Sequence, residues 1–398
     1  MKRILIFSPG VFQSYGHEFD YVNGLASAAA ATGTFDIHVL GFDGPFAAKL
    51  HAKITVHARH QGGIANAKGG SMFGQIGWGL KRIGQSRSLV RDALDLSARL
   101  NTAGIFFESF EYYSLARRVG RFRQPLRCLF HDTSFDRNQT SIAAAVYKRA
   151  MVASAVTIVK SCERTFVHGD AMKINLVRTL GLSASLAARV SAIPYGASEP
   201  SDVRQVDRAE ARAALGLNGD PRPILLAFGT LRKDKEFPRL LEAISMANDW
   251  QLLVAGPEGD LGFEELENLA RQLGICGRVH YRKGFIASGD QPLYFGAADA
   301  VVGIYSQSIR HESGTCKLAR TFVKPIIVSG PPDLEEYVRK TGVGWVAADR
   351  TAAALAVILS LAAQASTVER SAVEERIYEC ARQFSWSRVC ARVFDAWC

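Results

Sequence analysis

The stretch Tyr305–Ser329, YSQSIRHESGTCKLARTFVKPIIVS, decides the fold. An apolar run, Ala300–Tyr305, leads into it and predicts a buried strand. A Glu-Ser-Gly-Thr turn follows, then a helix-like segment, Cys316–Phe322. Lys324-Pro325 then opens a second apolar, β-branched run, Ile326-Ile327-Val328. Strand, glycine turn, helix, strand is one βαβ unit, with its polar turn at the carboxyl end of the first strand. Open α/β sheets bind ligands at that end. Backbone N–H groups at a helix start, with Gly314 allowing close approach, suit a phosphate. Ser313, Gly314 and Thr315 are therefore candidate phosphate contacts, with Lys317 just inside the helix. Glu312, just before the turn, is a candidate catalytic carboxylate; the same position equally suits a carboxylate held only by the helix dipole.

Outward from this unit the same rhythm repeats. Strands are predicted at Ile224–Phe228, Trp250–Ala255, Val279–Tyr281 and Gly344–Ala347. Helices alternate with them at Pro238–Ala247, Phe263–Leu273 and Pro331–Val338. Two more loops fall at strand ends: Gly229 with Arg232, Lys233 and Lys235, and Gly256-Pro257-Glu258. Cations beside a helix N-terminus make a diphosphate site.

The first half reads likewise. Strands are expected at Lys2–Phe7, Phe35–Leu40, Ile54–His57, Gly104–Glu108, Leu126–Phe130, Val156–Lys160 and Val190–Pro194. Helices are expected at Phe19–Ala31, Leu80–Leu100, Leu115–Arg123 and Ser141–Ala153, and another starts within Ser161–His168. Gly62–Gly79 reads as a loop. Polar residues cluster at strand ends here too: Gly16, His17 and Glu18 after the first strand, Glu108, and His131-Asp132. Such placement suits contacts to a sugar or an acceptor, although a lone His is more often structural. Ala197–Arg208 lacks periodicity and reads as a linker.

A chain of 398 residues exceeds one ordinary core and fits two domains. Seven cysteines without a C-x-x-C pair read as reduced thiols, which points to a cytoplasmic protein. Met1-Lys2-Arg3 has no signal-peptide core behind it, and the weakly polar Thr351–Ala365 is too short to span a bilayer. Residues 1–200 carry 24 basic and 13 acidic side chains, residues 201–398 carry 24 and 25. All the excess positive charge lies in the first half. It would suit an anionic acceptor or the inner face of a membrane, or be no more than a solvated surface. Nucleic acid is disfavoured, because no repeated aromatic–basic platform accompanies the charge. There is no D-x-D, no metal-ligand spacing, no G-x-x-x-x-G-K-[ST], no G-x-S-x-G and no G-x-G-x-x-G after the first strand.

Five pieces in order carry a resemblance: AFGTLRKDKEFPRLLEAI (Ala227–Ile244), LLVAGPEG (Leu252–Gly259), YFGAADAVVGIYS (Tyr294–Ser306), ESGTCKLARTFVKPIIVS (Glu312–Ser329) and GVGWVA (Gly342–Ala347). Together they resemble the nucleotide-sugar domain of a GT-B glycosyltransferase of family 4. FHDTSF (Phe130–Phe135) and SAIPYGAS (Ser191–Ser198) fit the first domain of such an enzyme, and FSWSRVCARVF (Phe384–Phe394) resembles its last helix.

The resemblance implies an α/β fold of two Rossmann-like domains facing across an interdomain cleft. Their bounds would be 1–198 and 199–383, with 384–398 crossing back to the first domain. It implies retaining, metal-independent transfer of a sugar from a UDP- or GDP-sugar to a saccharide or lipid-linked acceptor, in polysaccharide or glycoconjugate biosynthesis. No cofactor is implied. Gly229, Arg232, Lys235, Ser313, Gly314, Thr315 and Lys317 would hold the donor diphosphate, and Gly256-Pro257 would flank the base. His131 would lie near the transferred sugar, with His17 and Glu312 as further catalytic candidates. Gly16, Glu18, Glu108 and Asp132 would serve the acceptor or the phosphates. The chain departs from the family pattern in one respect: its usual Glu-x7-Glu pair falls on Arg310 and Leu318. Thr230 also replaces a common Arg, and Val323 a common Gly. Two alternatives stand beside this reading. A sugar-nucleotide epimerase on the same scaffold would turn over donor with no acceptor. A non-catalytic GT-B subunit would bind nucleotide without turnover.

Overall fold

Ile4 and Ile6 face one side of their sheet, Leu5 and Phe7 the other, and all four are buried. A strand buried on both faces belongs inside a parallel sheet covered twice by helices. The computed structural model has this arrangement in two units. It describes residues 1–13, 17–60, 72–133, 135, 142–306, 313–395 and 397, and only the backbone of residues 17, 72–80 and 142–147.

The first unit comprises Met1–Gly196 with Trp386–Cys398, the second Ala197–Ser385. The first holds β1 (Lys2–Phe7), β2 (Phe35–Phe42), β3 (Ile54–Arg59), β4 (Gly104–Phe107), β5 (Leu126–Phe130), β6 (Arg164–His168) and β7 (Val190–Ile193). They form one parallel sheet in the order β3-β2-β1-β4-β5-β6-β7. The second holds β8 (Ile224–Phe228), β9 (Gln251–Gly256), β10 (Val279–Lys283), β11 (Ala300–Ile304), β12 (Ile326–Ser329) and β13 (Gly344–Val346). Their order is β10-β9-β8-β11-β12-β13, again parallel. Each order reverses beside the unit's first strand, between β1 and β4 and between β8 and β11. Those switch points open a crevice at the carboxyl ends of the strands.

The last helix, Trp386–Phe394, belongs to the first unit's core. Val389, Cys390, Val393 and Phe394 pack with Ile4, Ile6 and the helix His17–Ala31. An indole sits at either end of this segment. Trp397 lies under the Arg127 guanidinium, 4.3 Å from its ring centre, and Arg127 also bonds Glu163 at 2.6 Å and the Val393 carbonyl. Trp386 lies against Gly24 and Gly196, where an added Cβ would run into the ring.

Four expectations need correction. The β-branched run Val156–Lys160 is not a strand but part of the helix Ile142–Ser161. Ala155, Ile158, Val159 and Cys162 recur at helical spacing and bury one stripe, so tertiary packing overrides strand propensity. Within Ser161–His168 lies β6, not a helix start; it fills the sheet between β5 and β7. Leu115–Arg123 is not one helix: Tyr112–Ala116, capped by Glu111, is followed by a 3-10 turn, Val119–Arg121. The loop expected over Gly62–Gly79 is helical from residue 72, in Met72–Leu100, and its remainder lies outside the described residues.

The two indole seats make a sign prediction. Gly24→Ala improves helix propensity yet drives a methyl into Trp386, so it is expected to destabilise by about 1–3 kcal/mol. Gly84→Ala, in Met72–Leu100 with nothing within 4 Å, is expected to stabilise by about 0.4–1 kcal/mol. Urea midpoints of the two variants moving in the same direction would contradict this packing.

Candidate functional site

In the second unit the polar residues gather at the β8/β11 switch. Gly229 leaves β8 with φ +90°, a conformation glycine adopts without strain. Gly256, ending β9, packs so closely on Gly229 that a Cβ has no room. The Leu231 N–H donates to the Pro257 carbonyl at 2.9 Å, which joins the two loops. Lys235 turns back beneath the first loop and donates from Nζ to the Phe228 carbonyl at 2.8 Å. Thr315 Oγ1 donates to the same carbonyl at 3.2 Å. The loop after β8 and the turn before Gly314–Thr321 thus meet on one oxygen.

The helix Gly314–Thr321 begins at Ser313, whose Oγ accepts from the Cys316 N–H at 3.3 Å. Tyr305 OH lies 2.6 Å from the same Oγ. Gly314 is exposed, with open space where a Cβ would stand, whereas Ser313, Thr315 and Lys317 are buried. Burial, then the neighbouring Arg232, push the Lys235 ammonium down to about 8. It stays largely protonated at neutral pH, and a bound anion would strengthen that charge. Arg232 is half-exposed and pairs with Asp234 at 3.0 Å. These groups can cradle a polyanion with two cations, a helix start and a glycine-lined floor.

In the first unit the ends of β4, β5 and β6 carry a buried relay that starts beside the β1/β4 switch. Glu108, fully buried after β4, lies 2.7 Å from His131 Nε2. His131 Nδ1 lies 2.9 Å from His168 Nε2. A carboxylate only accepts, so His131 donates from Nε2 and takes the His168 proton's bond at Nδ1. Burial pushes the His131 imidazole down to about 3, so the ring is neutral. Both of its nitrogens are engaged within the protein. Glu18 sits nearby, 3.5 Å from Ser8 Oγ, and burial and the Glu108 charge raise it to about 7; the Gly10 N–H and Ser109 oppose the shift. Asp132 is exposed beside His131. Gly16 and Glu312 lie outside the described residues, as does the His17 side chain.

The sequence reading missed four residues. Arg350 donates to Glu236 at 2.8 and 2.9 Å, to the Tyr305 carbonyl at 2.9 Å and to the Gly330 carbonyl at 3.2 Å. Arg239 bonds the same Glu236 at 2.6 Å and Ser329 Oγ at 2.8 Å. This network ties the loops after β8, β11 and β12 together. Glu236 holds φ +42°, a strain fixed by its two arginines. Arg350 follows a strand end, the same signal that flagged the other loops, but lies past the GVGWVA piece. His168 closes a strand that the sequence read as helix.

Residues 207–377 match the family model described as Glycosyl transferases group 1. They form a group 1 glycosyltransferase domain. Sucrose-phosphate synthase from Thermosynechococcus elongatus is 17% identical and aligns over 100% of this chain and 98% of its own, with a TM-score of 0.78. HepE from Anabaena, solved in complex with UDP and glucose, is 17% identical over 100% and 99%, with a TM-score of 0.68. WaaG, a glycosyltransferase involved in lipopolysaccharide biosynthesis, is 15% identical over 98% and 100%, with a TM-score of 0.62. The likeness is one of fold, and the fold is GT-B. The sequence matches none of the curated proteins.

The acidic pair predicts a pH dependence. The folded pKa of Glu18 lies above its ordinary 4.5, so protonation favours the folded state. That contribution is whole below about 4.5 and is lost as pH rises to about 7. Glu18→Gln is therefore expected to gain stability relative to the parent across that window and hold a constant gain above it. Denaturant midpoints that stay parallel from acid to neutral pH would remove the buried-pair account.

Proposed function

We propose that this glycosyltransferase moves a sugar from a UDP- or GDP-sugar to a saccharide or lipid-linked acceptor in polysaccharide or glycoconjugate synthesis, retaining anomeric configuration. The observation that carries the donor reading is the shared Phe228 carbonyl, which sets Lys235 and Thr315 beside one helix start. Arg232, Lys235 and the N–H groups following Ser313 take the diphosphate, and the Gly256-Pro257 loop takes the base. HepE and its complex with UDP and glucose support the choice of donor. Cations and a helix dipole at the phosphates, in place of carboxylates, support catalysis without a metal. The first unit takes the acceptor, with His17, Glu18, Glu108, His131 and Asp132 on that side and Glu312 as a further carboxylate.

A panel of UDP- and GDP-sugars, scored for slow hydrolysis without acceptor, tests the reading. Release of nucleoside diphosphate from one donor, unchanged by EDTA and abolished in Arg232→Ala/Lys235→Ala, is the expected result. Conversion of the donor to an epimer would favour the epimerase. Binding without turnover of any donor would leave a non-catalytic subunit.

We also place the enzyme in the cytoplasm, in peripheral contact with an anionic membrane. Among the described residues no single helix is long and apolar enough to cross a membrane. Burial, then Arg121, Arg91, Arg87 and Arg117, lowers the Arg118 guanidinium, which marks five arginines close together. None of the five has a carboxylate partner among the described residues. Co-sedimentation with phosphatidylglycerol vesicles, weakened by salt and by Arg117→Gln/Arg118→Gln/Arg121→Gln, is expected. Equal binding to neutral phosphatidylcholine vesicles would refute the electrostatic contact.

A further inference from the structure

The hydrogen-bonded relay accounts for both nitrogens of His131 but not for the tilt of its ring. The ring's flank is set by Tyr21, which meets His131 edge-on at 5.2 Å between ring centres and His168 at 5.7 Å. Tyr21 is fully buried on the helix His17–Ala31, one turn after Glu18. Behind it stands Trp386, the first residue of the last helix, at 5.1 Å and 88°. Tyr195 closes the box, 5.4 Å from Tyr21 and 4.9 Å from His168. Gly24, one turn beyond Tyr21, and Gly196, just after Tyr195, leave the room that the indole fills. Without the indole a void opens directly behind Tyr21, and that ring is free to lean away from His131.

We propose that Trp386 is a positioning residue: through Tyr21 it holds His131 in the ring orientation and tautomer of the Glu108–His131–His168 relay, so the C-terminal segment completes the first unit's site. The proposal rests on the glycosyltransfer reading only for its kinetic consequence. Its structural consequence is independent of that reading.

The segment supplies its own control. Trp397 anchors the other end of the same segment, on Gly104 and Arg127, and among the described residues no ring contact joins it to Tyr21 or His131. The experiment compares Trp386→Leu, Trp386→Phe and Trp397→Leu in the full chain. Imidazole 15N resonances of His131, assigned with His131→Gln, report tautomer and pKa directly. Donor hydrolysis gives kcat and KM. Trp386→Leu is expected to shift the His131 signals, raise its pKa toward the ordinary value and lower kcat by about tenfold or more with donor KM unchanged. Trp386→Phe, which keeps a ring against Tyr21, is expected to restore the parent signals. Trp397→Leu is expected to lower the melting temperature while leaving the His131 signals in place. The proposal is overturned if Trp386→Leu leaves those signals unmoved, or if Trp397→Leu moves them equally. Absence of donor turnover in the parent would overturn the functional reading instead, with the resonances still deciding the positioning role.

Discussion

One backbone oxygen organises the loops of the proposed donor site. The Phe228 carbonyl, last in β8, accepts from Lys235 and from Thr315, which are 80 residues apart in sequence. A buried ammonium needs such a partner, since desolvation without one costs several kcal/mol. The carbonyl partner does not neutralise Lys235 as a carboxylate would. The charge is anchored yet remains available to an anion. Arg350 provides the second tie, spending its guanidinium on Glu236 and two carbonyls, so the loops after β8, β11 and β12 are held as one piece. Preorganisation of this kind keeps binding energy from being lost in ordering loops.

The first unit reaches a comparable end by different chemistry. The ends of its strands hold a carboxylate, two imidazoles and a second carboxylate shifted to about 7, with an aromatic box behind them. The relay engages His131 at both nitrogens, and the aromatic box bears on the tilt of its ring. Bare glycines at 24, 104 and 196 are what let the C-terminal indoles dock there.

Much of this was legible in the sequence, for identifiable reasons. Buried parallel strands are continuous apolar runs, and ligand loops fall at their carboxyl ends, so Gly229, Lys235, Ser313 and Thr315 could be picked from position alone. The places where reading failed share a cause. Val156–Lys160 has strand-like composition but a helical burial stripe, which becomes visible only once the neighbouring elements exist. Misplacing that helix hid β6 and with it His168. Arg350 carried the strand-end signal, but its pairing with Glu236, 114 residues away, leaves no local pattern. The Glu108–His131 contact was half legible: both residues were flagged at strand ends, but their pairing depends on β4 and β5 being neighbours.

The central claim is that Lys235 carries a charge tuned by burial for a nucleoside diphosphate. Calorimetric titration of the full chain with UDP, and with GDP, over about pH 7 to 9.5 tests it most directly. Affinity is expected to be highest near pH 7, to be about halved near pH 8, where half of the Lys235 ammonium in the free protein has lost its proton, and to weaken further above it. In Lys235→Met the affinity is expected to be low and flat across the range. Parent affinity that is flat throughout, or a Lys235→Met variant that binds as tightly as the parent, would contradict the account.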